Sequence, residues 1–158
     1  MGLNTLIFII GLFITTLINA QPIKSAFVFG EVGNDSNIKC QFNYSSSVAA
    51  VESALRYNRV SIDKDSTSNN NNGGIKFYLN VTNWEVNKTD CSVGLQLSIH
   101  YYDDVKIPKS NKTIRSEIVL CQEGATGLIS KLEMQTVVNL RFKEYVDKCI
   151  SEIEKNAR

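Results

Sequence analysis

Four cysteines, Cys40, Cys91, Cys121 and Cys149, are spread along the chain with no two close together. Whether they pair covalently decides what the chain can fold into, because each cross-link removes conformational freedom from the unfolded state. A structural zinc site would show close Cys-x-x-Cys pairs, and there is none. Free buried thiols are the bland alternative, and it depends on compartment. In an oxidising one, four separated cysteines form two disulfides.

The first twenty residues supply the compartment. They carry no charged side chain and are dominated by Leu, Ile and Phe from Leu6 to Ile18, the pattern of a secretory h-region. The stretch is shorter than the roughly 20 apolar residues that span a bilayer. Ile18 and Ala20 fit the −3 and −1 positions of a signal-peptidase site, so residues 1–20 are expected to be a cleaved signal peptide and Gln21 the first mature residue. The missing Lys or Arg before Leu6 leaves an uncleaved signal anchor as the competing reading. Gly2 does not make a myristoylation site, because position 6 is Leu6 rather than Ser or Thr. The charged end Glu152–Arg158 is neither a GPI signal nor a retention tetrapeptide, so no membrane anchor is expected.

Removing the first 20 of 158 residues leaves 138, enough for one domain with one core. Residues 21–158 are therefore read as a single disulfide-containing, glycosylated domain. Its formal charge of +1 lacks the basic excess that nucleic acid demands. Asn-x-Ser/Thr sequons begin at Asn34, Asn43, Asn80, Asn87 and Asn111, none with Pro between. Each falls in a turn or on the polar side of a strand, where a glycan must sit.

Periodicity places the elements. Residues 23–32 read as an apolar strand, and 37–44 as a second, with Ile38, Cys40, Phe42 and Tyr44 on one face. Ser45–Ser47 offer N-cap hydroxyls to a short helix on which Val48, Val51 and Leu55 share a stripe. Lys64–Gly74 loses all apolar character and reads as a flexible Asn/Gly loop. Ile75–Val86 and Cys91–Tyr101 alternate as strands; a polar connection follows, and Ile114–Leu120 returns to make a hairpin. Gly124 breaks that strand, and from Ala125 to the end the chain reads as one long helix. Ser130 and Glu133 suggest its capping box. Met134, Val138, Phe142, Tyr145, Cys149 and Ile153 form its core stripe, and Glu144 and Lys148 an i,i+4 pair.

The fold class is thus α+β: a mostly antiparallel sheet of about 5–6 strands packed against a long C-terminal helix, with a short helix between strands. Of three possible pairings, the hairpin favours Cys91 with Cys121 and leaves Cys40 with Cys149. That pairing requires a bulge or a strand end, because the apolar faces align Cys91 with Gln122.

Nothing calls for a cofactor or a metal. His100 is the lone histidine, and strand parity puts it on the polar face; with Asp103 and Asp104 it is the one constellation available to a hydrolase or a weak metal site. Gly-x-Ser-x-Gly, P-loop and dinucleotide fingerprints are absent. The leading expectation is a secreted, non-enzymatic binding or interaction protein with an extracellular protein or small ligand as partner. Trp84, Tyr101 and Tyr102 are its candidate contacts. A carrier of small apolar ligands held between sheet and helix is the alternative, and a small hydrolase the second. Strands followed by a terminal helix are too generic an order to mark a family.

Overall fold

The structure, a computed structural model, describes residues 23–33, 39–64, 75–110 and 112–156. The expected signal peptide, the Asn34 and Asn111 sequons and most of the Asn/Gly loop lie outside the described residues. Strand β1 (Ser25–Gly33) leads to helix α1 (Tyr44–Tyr57) and the two-residue β2 (Ser61–Ile62). Strands β3 (Ile75–Glu85), β4 (Asp90–Lys106) and β5 (Thr113–Ser130) then form a meander, and helix α2 (Met134–Asn156) ends the described chain.

The sheet has the order β2-β1-β3-β4-β5. β3, β4 and β5 are antiparallel neighbours, while β1 runs parallel to both β2 and β3. The fold is α+β with a mostly antiparallel, mixed sheet of five strands. The parallel step exists because α1 carries the chain from the end of β1 back to the start of β2, as parallel strands require a crossover.

Alternation decides which face meets the helices. Ala26, Val28, Phe77, Leu79, Val81, Val93, Leu95, Leu97 and Ile99 are buried against Val51 and Leu55 of α1 and the α2 stripe. The stripe reads as the sequence implies: Met134, Val138, Phe142, Tyr145 and Cys149 are buried, and Ile153 packs partly against the core. At Gly30 a Cβ atom would lie 2.1 Å from the Leu79 carbonyl oxygen and 2.6 Å from the Tyr44 hydroxyl, so only glycine lets β1, β3 and α1 meet there. Among the described residues no helix is long and apolar enough to cross a membrane.

The two helices also meet through a polar seam. The Ser47 hydroxyl, fully buried, donates to Asn139 Oδ1 at 2.9 Å and accepts from Gln135 Nε2 at 3.2 Å, and Asn139 Nδ2 donates to Ser46 at 2.9 Å. Buried polar groups are tolerable when linked in this way. Helix α1 ends in a Schellman arrangement: Val60 N–H donates to the Leu55 carbonyl and Arg59 N–H to the Arg56 carbonyl, with Arg59 at φ 62°.

Four sequence expectations are corrected. Residues 39–44 are not a strand: Lys39–Gln41 form a turn, Gln41 has φ 56°, and Asn43 caps α1 by accepting from Ser46 N–H. The alternation of Cys40 and Phe42 was the signature of two buried side chains either side of a left-handed residue. Second, Gly124 does not end β5, which runs through Ala125 to Ser130. Pairing with β4 as far as Asp90 overrides the weak helical signal there. Ser130 and Glu133 are joined by a backbone turn bond of 3.0 Å instead of a capping box. Third, Lys148 pairs with Glu123 at 2.7 Å, and Glu144 with Arg141, so the expected Glu144–Lys148 pair is not the one formed.

The fourth correction concerns the disulfides, which join Cys40 to Cys91 and Cys121 to Cys149. The hairpin turns at Ile107–Lys112, later than the apolar faces implied, so Cys91 stands opposite Ile129 and Cys121 opposite Ile99. Eight residues of β4 separate those two positions, about 27 Å at the usual rise per residue. Cys40 instead ties the turn before α1 to the start of β4, and Cys149 ties α2 to β5.

Candidate functional site

The face of the sheet that no helix of the described residues covers, here the helix-free face, carries the opposite parity. Its cross-strand rows are Trp84–Ser92–Leu128, Thr82–Gly94–Thr126, Asn80–Gln96–Gly124, Tyr78–Ser98–Gln122 and Lys76–His100–Val119. The middle rows border a shallow, open concavity of ≈ 470 Å³ lined by Asn80, Thr82, Gln96, Gln122 and Thr126, with Leu95 and small residues between them. Its floor is low because Gly94 and Gly124 have no side chains; a Cβ on Gly94 would lie 2.6 Å from the Thr82 hydroxyl. The lining has no charged side chain. Amides and hydroxyls both donate and accept, so it matches an uncharged ligand rich in hydroxyl groups.

One end of this groove is apolar. Trp84 is 55 % exposed and Leu128 64 %, in one row. The other end is an ordered polar and aromatic cluster. Ser98 Oγ lies 2.7 Å from His100 Nε2, His100 Nδ1 lies 2.6 Å from Glu117 Oε1, and Tyr102 donates to the same Glu117 oxygen at 2.7 Å. Tyr78 stands edge-on to His100 with ring centroids 6.3 Å apart and packs on Phe29 at 5.1 Å, while Lys76 lies 4.6 Å from the centre of the Tyr102 ring.

Donation from Tyr102, reinforced by His100, holds the Glu117 carboxyl below its ordinary value against the opposing effect of burial. Burial, with the Glu117 contact second, pushes Tyr102 up to about 12. Because the folded state lowers the Glu117 value, its contribution to stability is complete above the ordinary 4.5 and is lost as pH falls through the lower folded value. Glu117→Gln is therefore expected to flatten the stability–pH curve between about pH 5 and 3, read by urea unfolding at each pH. An unchanged slope would show that Glu117 is not responsible.

Ser98, His100 and Glu117 follow the order of a nucleophile–base–carboxylate relay, yet the position denies Ser98 the reaction. It is 4 % exposed and sits mid-strand between Tyr78 of β3 and Gln122 of β5, so the ladders on either side occupy the backbone that would stabilise an oxyanion. The cluster fixes side chains beside the groove.

The sequence candidates are scattered. His100 is on the helix-free face, but its carboxylate partner is Glu117; Asp103 and Asp104 are exposed further along β4, where Asp103 accepts from the Asp104 N–H at 2.8 Å. Trp84 and Tyr102 flank the groove at opposite ends, and Tyr101 points to the other face, opposite Ile75 and Ile118. Asn80 lies in the groove itself. Asn43 is exposed at the start of α1, and Asn87 is exposed in the β3–β4 turn, where its side chain accepts from Thr89 and Asp90 N–H. Cys121, Glu123 and Glu152 place ligand-type atoms within 4.8 Å of one another, but the Cys121 sulfur is committed to its disulfide and Lys148 pairs with Glu123. The layer between sheet and helices is filled by Phe77, Phe142, Leu97 and Met134, all fully buried. Gln96 and Gln122 were not singled out as site residues from sequence, where the available signal was the small residues Gly94 and Gly124 flanked by amides of polar parity; Glu117, expected as a surface partner of Lys or Arg, pairs with His100 and Tyr102 instead.

Fold and face together describe an α+β domain with one sheet face sealed by two helices and the other bearing an uncharged groove. No protein-family profile matches the chain, and no curated protein does. Among solved structures it is similar to the dodecamer of a PelC variant from Paraburkholderia phytofirmans, at 14 % identity over 85 % of this chain and 90 % of that one, with a TM-score of 0.46. It is similar also to a minor lipoprotein from Acinetobacter baumannii, at 12 % identity over 84 % of this chain and 91 % of that one, with a TM-score of 0.31.

Proposed function

We propose that this chain is an exported, N-glycosylated, non-enzymatic binding protein whose working surface is the helix-free face of the sheet, and that its ligand is a neutral, hydroxyl-rich molecule of the saccharide class. The groove carries the reading: amides and hydroxyls from three adjacent strands converge on one uncharged concavity, with the exposed indole of Trp84 at its end as a stacking surface. Export is supported by the leader-like residues 1–20 and by the two disulfides, which persist in oxidising compartments. Glycosylation is supported by the sequons, of which Asn43 and Asn87 are exposed. Asn80 is the informative one. A glycan there would occupy the groove, so the form with a bare Asn80 is the binding form.

The test is an array of neutral oligosaccharides probed with the secreted Asn80→Gln variant, whose groove cannot carry its own glycan. Binding that weakens about tenfold or more when Gln96→Leu and Gln122→Leu are added is the expected result, because each substitution removes an amide from the groove. Failure to bind any neutral oligosaccharide, or equal binding by the added double variant, contradicts the proposal.

A further inference from the structure

Among the described residues the outer end of the β4–β5 hairpin extends past its pairing with β3. The β3 pairing reaches Ile75 opposite Tyr101 among the described residues, and every described residue from Asp103 to Leu120 except Ser116 is exposed. The exposed set includes Val105, Ile107, Ile114, Ile118, Val119 and Leu120, each at least 36 % accessible. Two strands alone are marginal in water, and this pair spends a large share of its apolar side chains on solvent. Among the described residues β5 has β4 as its one neighbour, so its outer edge presents unpaired backbone groups along an apolar strand, a template for another strand.

We infer that this edge pairs with a second copy of the same chain, antiparallel about a two-fold axis at Ser116. The segment Thr113-Ile114-Arg115-Ser116-Glu117-Ile118-Val119 is self-complementary in that register alone. Ile114 meets Ile118 of the partner subunit, Thr113 meets Val119 of the partner subunit, and Arg115 meets Glu117 of the partner subunit. Each contact occurs twice by symmetry. Ile114 and Ile118 lie on one face, opposite Val105 and Tyr101, and Arg115 and Glu117 on the other, opposite Asp104 and Tyr102, so the paired residues share a face as strand pairing demands. Parallel pairing would set like charges against each other. The contact is isologous and closes on itself, giving a dimer and not a fibre. Seven residues a side is well below the 20–30 of a standard interface, so dissociation in the range of roughly 10–100 µM is expected.

The inference does not rest on the groove's ligand, although it shares Glu117, which within one subunit also accepts from Tyr102 and lies 2.6 Å from His100, and it is tested by sedimentation of the mature chain from about 1 to 300 µM. The wild type is expected to pass from monomer to dimer over that range. Arg115→Glu sets two carboxylates against each other at each end and is expected to weaken association tenfold or more, while Arg115→Glu with Glu117→Arg swaps the charges and restores it. Ser116→Cys, on the axis, is expected to give a disulfide-linked dimer on mild oxidation, and Thr113→Cys, which faces Val119 of the partner subunit, is not. A chain that stays monomeric at 300 µM overturns the inference. So does a dimer indifferent to the charge reversal, or one that Thr113→Cys cross-links as well as Ser116→Cys.

Discussion

Replacing Cys40 and Cys91 by alanine is expected to lower the unfolding free energy by about 4 kcal/mol, the loop-closure entropy of a cross-link spanning 51 residues. Replacing Cys121 and Cys149, 28 residues apart, is expected to cost about 3.5 kcal/mol. Both figures are large against the 5–15 kcal/mol that holds a typical domain together. The decisive comparison is a third variant, Cys40→Ala with Cys149→Ala. In this fold it opens both bridges, because Cys91 and Cys121 are left at distant positions on β4 and β5 and cannot join. Its loss should approach the sum of the other two, measured by urea unfolding. Were it no less stable than the Cys40–Cys91 double variant, the pairing found here would be wrong.

Phe142→Ala is the second large effect. Phe142 is fully buried on α2, with its ring edge-on to Tyr145 at 6.3 Å between centroids, and it belongs to a core cluster drawn from the sheet and both helices. Truncation removes its transfer free energy and leaves a cavity that two disulfide-tied layers cannot easily close, so a loss of about 3–5 kcal/mol is expected. Phe142→Leu, which keeps much of the volume, is expected to lose markedly less. The measurement is the shift in denaturation midpoint at constant slope. Equal, small losses for both variants would mean that the layer between sheet and helices is loosely packed, and would reopen the reading of an apolar-ligand carrier.

What the sequence made legible follows from how local the signal is. The α2 stripe from Met134 to Ile153 and the alternation of Phe77, Leu79 and Val81 needed only their own periodicity, and both are found. The stretch around Cys40 misled because its apolar spacing of two is also that of a turn with buried flanks, and the three serines drew attention from Asn43, the residue that caps α1. The end of β5 was hidden because Ala125–Ser130 is strand by virtue of its partner, Asp90–Leu95, and not by its own composition. Cysteine pairing failed with the register: an extra residue, Leu120, bulges between Ile99 and His100, and a turn three residues later than supposed carries Cys121 from one end of the hairpin to its middle.

The groove was beyond local reading for the same reason. Asn80, Gln96 and Gln122 are ordinary polar-face residues until three strands are aligned, and Gly94 and Gly124 become a floor only once they lie side by side with them. The parity of His100 was readable in advance, since strand alternation is local. Its partner Glu117, two rungs along the neighbouring strand, was not.

The proposal that this domain is exported, oxidised and glycosylated is addressed by one measurement: intact mass and a non-reducing peptide map of the protein expressed in a secreting eukaryotic host, before and after glycan removal. The predicted result is a chain beginning at Gln21, with glycan on Asn43 and Asn87 and with peptides linked through Cys40–Cys91 and Cys121–Cys149. A chain retained in the cell with residues 1–20 intact, no glycan and four free thiols would contradict it.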